Sequence, residues 1–152
     1  MQQKQESYRF SEMAYERFPE KPEVQPDFLH TLCRYSTLVV WDGLNHLELG
    51  NPSQSEKIFA QIDSTQPKFQ MPERARIELL NYQAETFTEL GKMEQACTYL
   101  EASIHASMSI GSKRRIQEAW DVFQRIQGIW HDEPKVRDLH SLFAHSLSDH
   151  TQ

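Results

Sequence analysis

Apolar residues recur along this chain at the three- and four-residue spacing of a helix face, not in the alternation of a strand. In residues 7–17 the apolar positions include Tyr8, Met13 and Ala14, and Phe18 stands four residues after Ala14. The short apolar run over residues 38–41 lies inside the same helical period and does not predict a strand. The pattern indicates an all-α fold.

Prolines and glycines divide this pattern into segments. Asp27, Ser53 and Ser112 are the expected N-caps, and Gly50 and Gly91 are among the expected helix ends. We expect one helical domain over residues 1–147 and a frayed tail over residues 148–152. The predicted helices cover about seven segments: residues 7–17, 27–49, 53–64, 72–90, 93–110, 113–127 and 133–146.

An internal repeat is the strongest signal in the sequence. Glu-Leu-Gly closes at Gly50 and again at Gly91, which is 41 residues later. At the same spacing Leu38 matches Leu79, and Trp41 matches Tyr82. A phrase of a small residue followed four positions later by a large one occurs three times: Ala14/Phe18, Ser55/Phe59 and Ala96/Leu100.

The phrase has a packing function in helical pairs. A small residue lets two helices approach closely, and a large residue one turn later fills the groove between them. Because one pair cannot bury its apolar stripe alone, such pairs stack on each other. The repeat therefore predicts stacked antiparallel helix pairs.

These residues resemble the tetratricopeptide repeat (TPR). Gly43 and Ala84 match its small position in the first helix, and His46 and Phe87 match its aromatic position. Pro67 matches the closing proline of the first copy. The chain departs from the pattern in its period of 41 against a typical ~34, and at four positions of the first helices: Val39, Asp42, Leu80 and Gln83.

The resemblance implies an α-solenoid whose first helices line a concave, peptide-binding surface. On that surface Asn81 would clamp a peptide backbone, because its amide both donates and accepts hydrogen bonds. The carboxylates would favour a basic ligand; ordinary solvated helix faces are the alternative. The positions carried over are Thr37, Val40, Leu44, Glu48, Glu78, Asn81, Glu85 and Glu89.

Two stretches, residues 79–85 and 110–115, are also similar to the helical-repeat half of bacterial helix-turn-helix regulators. This second resemblance implies a sensory or regulatory module that works through a partner. The first predicted helix is followed by a proline-rich loop and not by a tight turn and a basic helix, so no DNA-binding half is recognised.

Charge and composition narrow the class of partner. The chain is 38% hydrophobic and 25% charged, with a net charge of −6, which is unfavourable for nucleic acid or acidic membranes. Lys113, Arg114 and Arg115 form the tightest basic cluster, but Glu118 and Asp121 lie within two turns, so a mixed solvated face is expected. No run approaches the ~20 apolar residues of a membrane span and no signal peptide is recognised, so a cytoplasmic location is expected.

No catalytic or metal-binding motif is recognised, so we expect neither an enzyme nor a cofactor. Asp132 beside His131 is interpreted as a helix cap, and His46 as a packed core residue. Cys33 and Cys97 have no C-x-x-C partner and are expected to be buried thiols. The large aromatics are expected in the core: Trp41, Tyr82, Phe87, Trp120 and Trp130.

The sequence thus predicts a protein- or peptide-binding scaffold or regulatory module. The alternatives are a sensory domain of a transcriptional regulator without its DNA-binding half and, less favoured, a small helical metal protein or enzyme. The opening helix carries more apolar surface, including Phe10 and Tyr15, than one neighbour would cover. A second copy of the chain in a homo-oligomer, a partner protein or an upstream domain in a longer relative is therefore expected at this helix, unless the proline-rich segment from residue 19 to residue 26 covers it.

Overall fold

The fold is known from a computed structural model that describes residues 2–18, 34–62 and 69–148. Within these ranges every regular element is an α-helix or a short helical turn. The helices are α1 (Gln2–Arg17), α2 (Tyr35–Glu48), α3 (Pro52–Ala60), α4 (Glu73–Glu89), α5 (Met93–Ser109), α6 (Lys113–Trp130) and α7 (Pro134–Ser148).

Three helices end on the same glycine motif. Gly50, Gly91 and Gly111 have φ values of 77°, 69° and 63°, a left-handed conformation that glycine adopts without a Cβ penalty. After α2, the Gly50 N–H donates to the Leu47 carbonyl, and the next N–H donates back to the His46 carbonyl at 2.8 Å. This is the Schellman pattern, which satisfies carbonyls that a helix end otherwise leaves without donors.

The helix starts differ from the sequence prediction in several places. α1 begins at Gln2, ahead of the predicted start, and α2 begins at Tyr35 instead of residue 27, because Arg34 has extended backbone (φ −79°, ψ 153°). The expected cap of α2, at residue 27, lies outside the described residues. α3 begins at Pro52, whose fixed φ suits a first helical position, so Asn51 and not Ser53 precedes the helix.

The later helices follow the prediction more closely. Ser112 caps α6 as expected, its hydroxyl accepting from the Arg115 N–H at 3.4 Å. The same helix continues through Gly128 to Trp130, beyond its predicted end. Glu133, and not Asp132, immediately precedes α7, and the Glu133 carbonyl accepts the first backbone hydrogen bonds of that helix.

The chain divides into two compact units, Met1–Met71 and Pro72–Gln152. In the first unit α2 packs along α3, and α1 lies against α2. Among the described residues of this unit, the buried apolar side chains are Val39, Leu47, Ile58, Phe59, Ile62 and Phe69.

The second unit has its own core. α4 packs along α5, α6 contacts both, and α7 contacts α5 and α6, so alternate helices also touch. The cluster at the centre consists of Ala84, Ala96, Cys97, Leu100, Ile104, Ile116, Ala119, Val122, Phe123, Ile126, Val136, Leu139 and Phe143. This arrangement buries an apolar stripe of each helix against at least two others.

The repeat phrase occupies packing positions, with one difference. Ser55 and Phe59 are buried on α3, and Ala96 and Leu100 are buried on α5, whereas Ala14 and Phe18 at the end of the first helical segment are only half-buried. The small first-helix residues, Gly43 and Ala84, are buried as predicted. α1 is therefore not equivalent in burial to the second helices of the other pairs.

Candidate functional site

The predicted concave positions of α2 differ in burial. Thr37, Val40 and Leu44 are half-buried and Glu48 is exposed. Beside them Trp41 is 64% exposed, which corrects the expectation that this indole lies in the core. Trp41 matches Tyr82 of α4 in the 41-residue repeat, and Tyr82 is half-buried. Residues at the same repeat position therefore differ in burial.

Three of the four predicted positions on α4 line one pocket of about 270 Å³. They are Glu78, Asn81 and Glu85, whereas Glu89 is exposed and outside the lining. The opposite wall comes from α6. The full lining is Glu78, Asn81, Tyr82 and Glu85 from α4, with Arg114, Glu118, Asp121, Val122 and Arg125 from α6.

The sequence predicted a mixed solvated face for this part of α6, which holds for the exposed Arg114 and Asp121 but not for Arg115, whose side chain is 12% exposed. The α6 wall of the pocket was not predicted. A shift of 36 residues places Glu78, Tyr82, Glu85 and Glu89 on Arg114, Glu118, Asp121 and Arg125, but only Glu85 and Asp121 share their chemistry. This spacing is therefore no sequence signal for the α6 wall.

Asn81 is a buried residue of the α4 wall. The residue is only 4% exposed, and its Oδ1 accepts a hydrogen bond of 2.5 Å from the hydroxyl of Ser103 on α5. Its Nδ2 has no hydrogen-bond partner among the described residues. A buried donor without an acceptor costs about 1–3 kcal/mol, so an acceptor that reaches Nδ2 would stabilise the protein.

Arg115 joins the two walls at one end of the pocket. Its side chain is 12% exposed and donates to Glu78 on α4 at 2.8 Å and to Glu118 on its own helix at 2.5 Å. The Tyr82 hydroxyl also donates to Glu78, at 2.9 Å. Burial, followed by the hydrogen bond and charge of Glu78, raises the pKa of Tyr82 well above its usual value, so the phenol stays neutral at physiological pH.

A second ion pair joins the walls further along α4. Arg125 donates to Glu85, and both ends of this pair are more exposed than the Arg115 side chain. Because Glu78 and Glu85 are both paired, the α4 wall is not a row of free carboxylates. Its attraction for a basic ligand is correspondingly weaker than the sequence alone suggests.

The other notable polar cluster lies between α1 and α2. His46 stacks on Tyr8 with ring centroids 4.6 Å apart and lies 3.9 Å from Asp42, which accepts a hydrogen bond of 3.1 Å from Tyr15. The His46 side chain is 15% exposed, which agrees with its interpretation as a packed residue. Burial, and then Asp42, raise the pKa of Tyr15 above its usual value. The cluster holds α1 against α2.

The remaining candidate residues are the histidines, cysteines and acidic residues that metal or thiol chemistry would need. In residues 2–18, 34–62 and 69–148, no three histidine, cysteine or acidic side chains converge as a metal site. His131 and Asp132 lie 3.0 Å apart, but both are largely exposed. Cys97 is a buried free thiol whose pKa is raised by burial, and Cys33 lies outside the described residues. None of the helices described has the length and apolar composition to cross a bilayer.

The comparisons with known proteins give no match: none of the family models, the curated proteins or the solved structures matches this chain.

Proposed function

We propose that this chain is a TPR-like helical repeat protein that binds an extended peptide segment of a partner protein. The binding site would be the pocket between α4 and α6. In a TPR-like array these two helices would be the first helices of successive pairs, and such helices line the concave surface. The contacts of α6 with both α4 and α5, and of α7 with α5, support this arrangement.

The observation that carries the proposal is the unsatisfied amide of Asn81. Ser103 occupies its oxygen and fixes the side chain, so Nδ2 is the group left for a ligand. A peptide backbone offers carbonyl oxygens at every residue and needs no particular side chain to use this donor. A pocket of about 270 Å³ is smaller than the roughly 300–1,000 Å³ of sites for drug-sized molecules, which suits one side chain and its backbone.

The ion pairs support a binding role by fixing the walls. Arg115 and Arg125 connect α4 to α6 at two levels, so the pocket is largely formed before a ligand arrives. A preformed site loses less conformational entropy on binding than a mobile one. The protein would thus act as a scaffold or regulatory module in the cytoplasm and not as an enzyme.

Peptide selection with the full-length chain tests this function. A random peptide library displayed on phage is expected to yield peptides whose binding Asn81→Asp weakens by about tenfold or more, because the substitution keeps the acceptor for Ser103 and removes the free donor. Asn51→Asp, at an exposed position ahead of α3, is the matched control and should bind normally.

Thermal unfolding followed by circular dichroism would verify that both variants fold. The proposal fails if no peptide is enriched, or if the enriched peptides bind a folded Asn81→Asp variant as well as they bind the original chain.

A further inference from the structure

The charged groups of the pocket are almost completely paired within the protein. Glu78 and Glu118 both contact Arg115, Glu118 also contacts Arg114 at 3.0 Å, and Glu85 pairs with Arg125. Each of these three carboxylates therefore has a guanidinium partner. A ligand cation would have to compete with an arginine at each of them.

Asp121 differs from the other pocket carboxylates. Its Oδ1 accepts a hydrogen bond of 3.1 Å from Gln117, which is uncharged, and no lysine or arginine among the described residues forms an ion pair with it. It is exposed, so a ligand can reach it. The pocket thus contains one uncompensated negative charge, at a defined position on the α6 wall.

We infer that Asp121 selects a single lysine or arginine side chain in the bound peptide. This inference rests on the proposed function and adds the specificity of that site. The Asn81 amide, on the opposite wall, supplies a donor for a backbone carbonyl, while Asp121 accepts from the ammonium or guanidinium group. One charge pair at a fixed place gives a positional preference, which a general attraction between an acidic surface and any basic peptide would not give.

The structure also limits how basic the peptide is. Arg114 and Arg125 lie in the lining, with side chains that are 82% and 57% exposed, so further positive charges in the ligand would meet guanidinium groups on the same wall. Like charges brought together on binding lower the affinity. The expected motif has one basic residue flanked by uncharged residues and not a run of lysines.

Parallel selections with the full-length chain test this inference. The same random peptide library is applied to the original chain, to Asp121→Asn and to Asp121→Lys, with Asp138→Asn as the matched control at an exposed position of α7 that does not line the pocket. Peptides from the original chain should share one lysine or arginine. Their affinity should fall about two- to fivefold for Asp121→Asn, since the carboxylate is exposed, and stay unchanged for Asp138→Asn.

Asp121→Lys provides the second readout, because it should enrich peptides with an acidic residue at the aligned position. Two results would overturn this inference and leave the proposed function standing. The peptides that bind the original chain through Asn81 could lack a shared basic residue, or the peptides selected with Asp121→Asn could still share one. If no peptide is enriched with any of these proteins, the proposed function fails, and the inference fails with it.

Discussion

The close packing of α2 against α3 depends on one glycine. A Cβ built on Gly43 of α2 would lie 2.3 Å from a ring carbon of Phe59 on α3, a separation that real structures do not tolerate. Phe59 is 1% exposed, so its ring cannot swing out without opening the core. Gly43, the small first-helix position of the tetratricopeptide resemblance, and Phe59, the large residue of the repeat phrase, are thus a matched pair.

Gly43→Ala is therefore expected to destabilise the protein although alanine favours helix. Alanine gains about 1 kcal/mol of helix propensity, but overpacking against Phe59 costs about 1–3 kcal/mol. Gly128→Ala in α6 is the matched control, because its added Cβ meets open space and should stabilise by about 0.5–1 kcal/mol. Urea unfolding of the two variants measures both. A Gly43→Ala variant as stable as Gly128→Ala would contradict the close contact.

Phe59 and Trp41 are expected to differ sharply in their contribution to stability, although both are large aromatics on neighbouring helices. Phe59→Ala should cost roughly 3–5 kcal/mol, since the side chain is fully buried. Trp41→Ala should change the free energy of unfolding by less than about 0.5 kcal/mol, because the indole is 64% exposed. Denaturant melts compare the pair, and equal losses would show that Trp41 is a core residue after all.

Tyr82, which lines the pocket, is expected to make the free energy of unfolding depend on pH. The folded state raises its pKa above the ordinary value of about 10, so folding favours the protonated phenol. The resulting stabilisation is complete below pH ~10 and is lost as the pH rises through the raised folded-state value. Tyr82→Phe has no such group, and its stability should fall less steeply above pH ~10. Urea unfolding between pH 9 and 11 gives the slopes, and equal slopes would count against this environment.

At the scale of elements, the ion pairs differ in how much they contribute. Arg114 and Arg115 are neighbours on α6 and both contact Glu118, but only Arg115 reaches α4 through Glu78. Its side chain is 12% exposed against 82% for Arg114. Charge pairs screened by water contribute little, whereas enclosed ones hold their geometry.

Arg115→Met should therefore lower the free energy of unfolding by about 1.5–3 kcal/mol, since it keeps the stem and removes two hydrogen bonds to carboxylates. Arg114→Met should stay within about 1 kcal/mol of the original chain. Thermal or urea unfolding of the two variants distinguishes them. The interhelical role of Arg115 is disproved if both substitutions have the same small effect.

Helix ends were easier to predict from the sequence than helix starts. The ends of α2, α4 and α5 were predictable because a single glycine with a left-handed φ stops each helix. The start of α2 was not, since the apolar pattern before Tyr35 continues with helical spacing while Arg34 is extended. Helix starts depend on capping contacts that have weaker sequence signals than glycine.

Of the two helices that line the candidate pocket, the sequence predicted lining residues on α4 but not on α6. Asn81 and its neighbours on α4 were carried over from the resemblance to the tetratricopeptide repeat, whereas the α6 wall mixes both charges and was assigned to a solvated face. The pairing of Glu78 with Arg115, 37 positions away, depends on how α4 and α6 pack. Side-chain pairing between helices has no local sequence pattern, so neither the neutralised walls nor the unpaired charge of Asp121 could be predicted from the sequence.

The sequence predicts one domain over residues 1–147, whereas the described chain divides into two compact units. Every residue of the central core cluster lies in Pro72–Gln152, and so does the complete lining of the candidate pocket. A unit that contains its own core and its own site has the elements of an independent fold. The single-domain expectation and the two-unit division make different predictions for a fragment.

A fragment of residues 72–152 is expected to fold by itself and to bind the same peptides as the full-length chain. Its core includes Leu100, Phe123 and Phe143, which are almost fully buried within this unit. A shorter fragment of residues 72–132 is the matched control. It lacks α7 and therefore the buried Val136, Leu139 and Phe143. Each large apolar side chain removed from a core costs about 2–5 kcal/mol, so this shorter chain should not unfold cooperatively.

Circular dichroism melts and peptide titrations of both fragments provide the measurement. If the longer fragment is helical, cooperative and binds peptide, the pocket and its core belong to one autonomous unit. An unfolded longer fragment would show instead that residues 1–71 are part of the same cooperative domain.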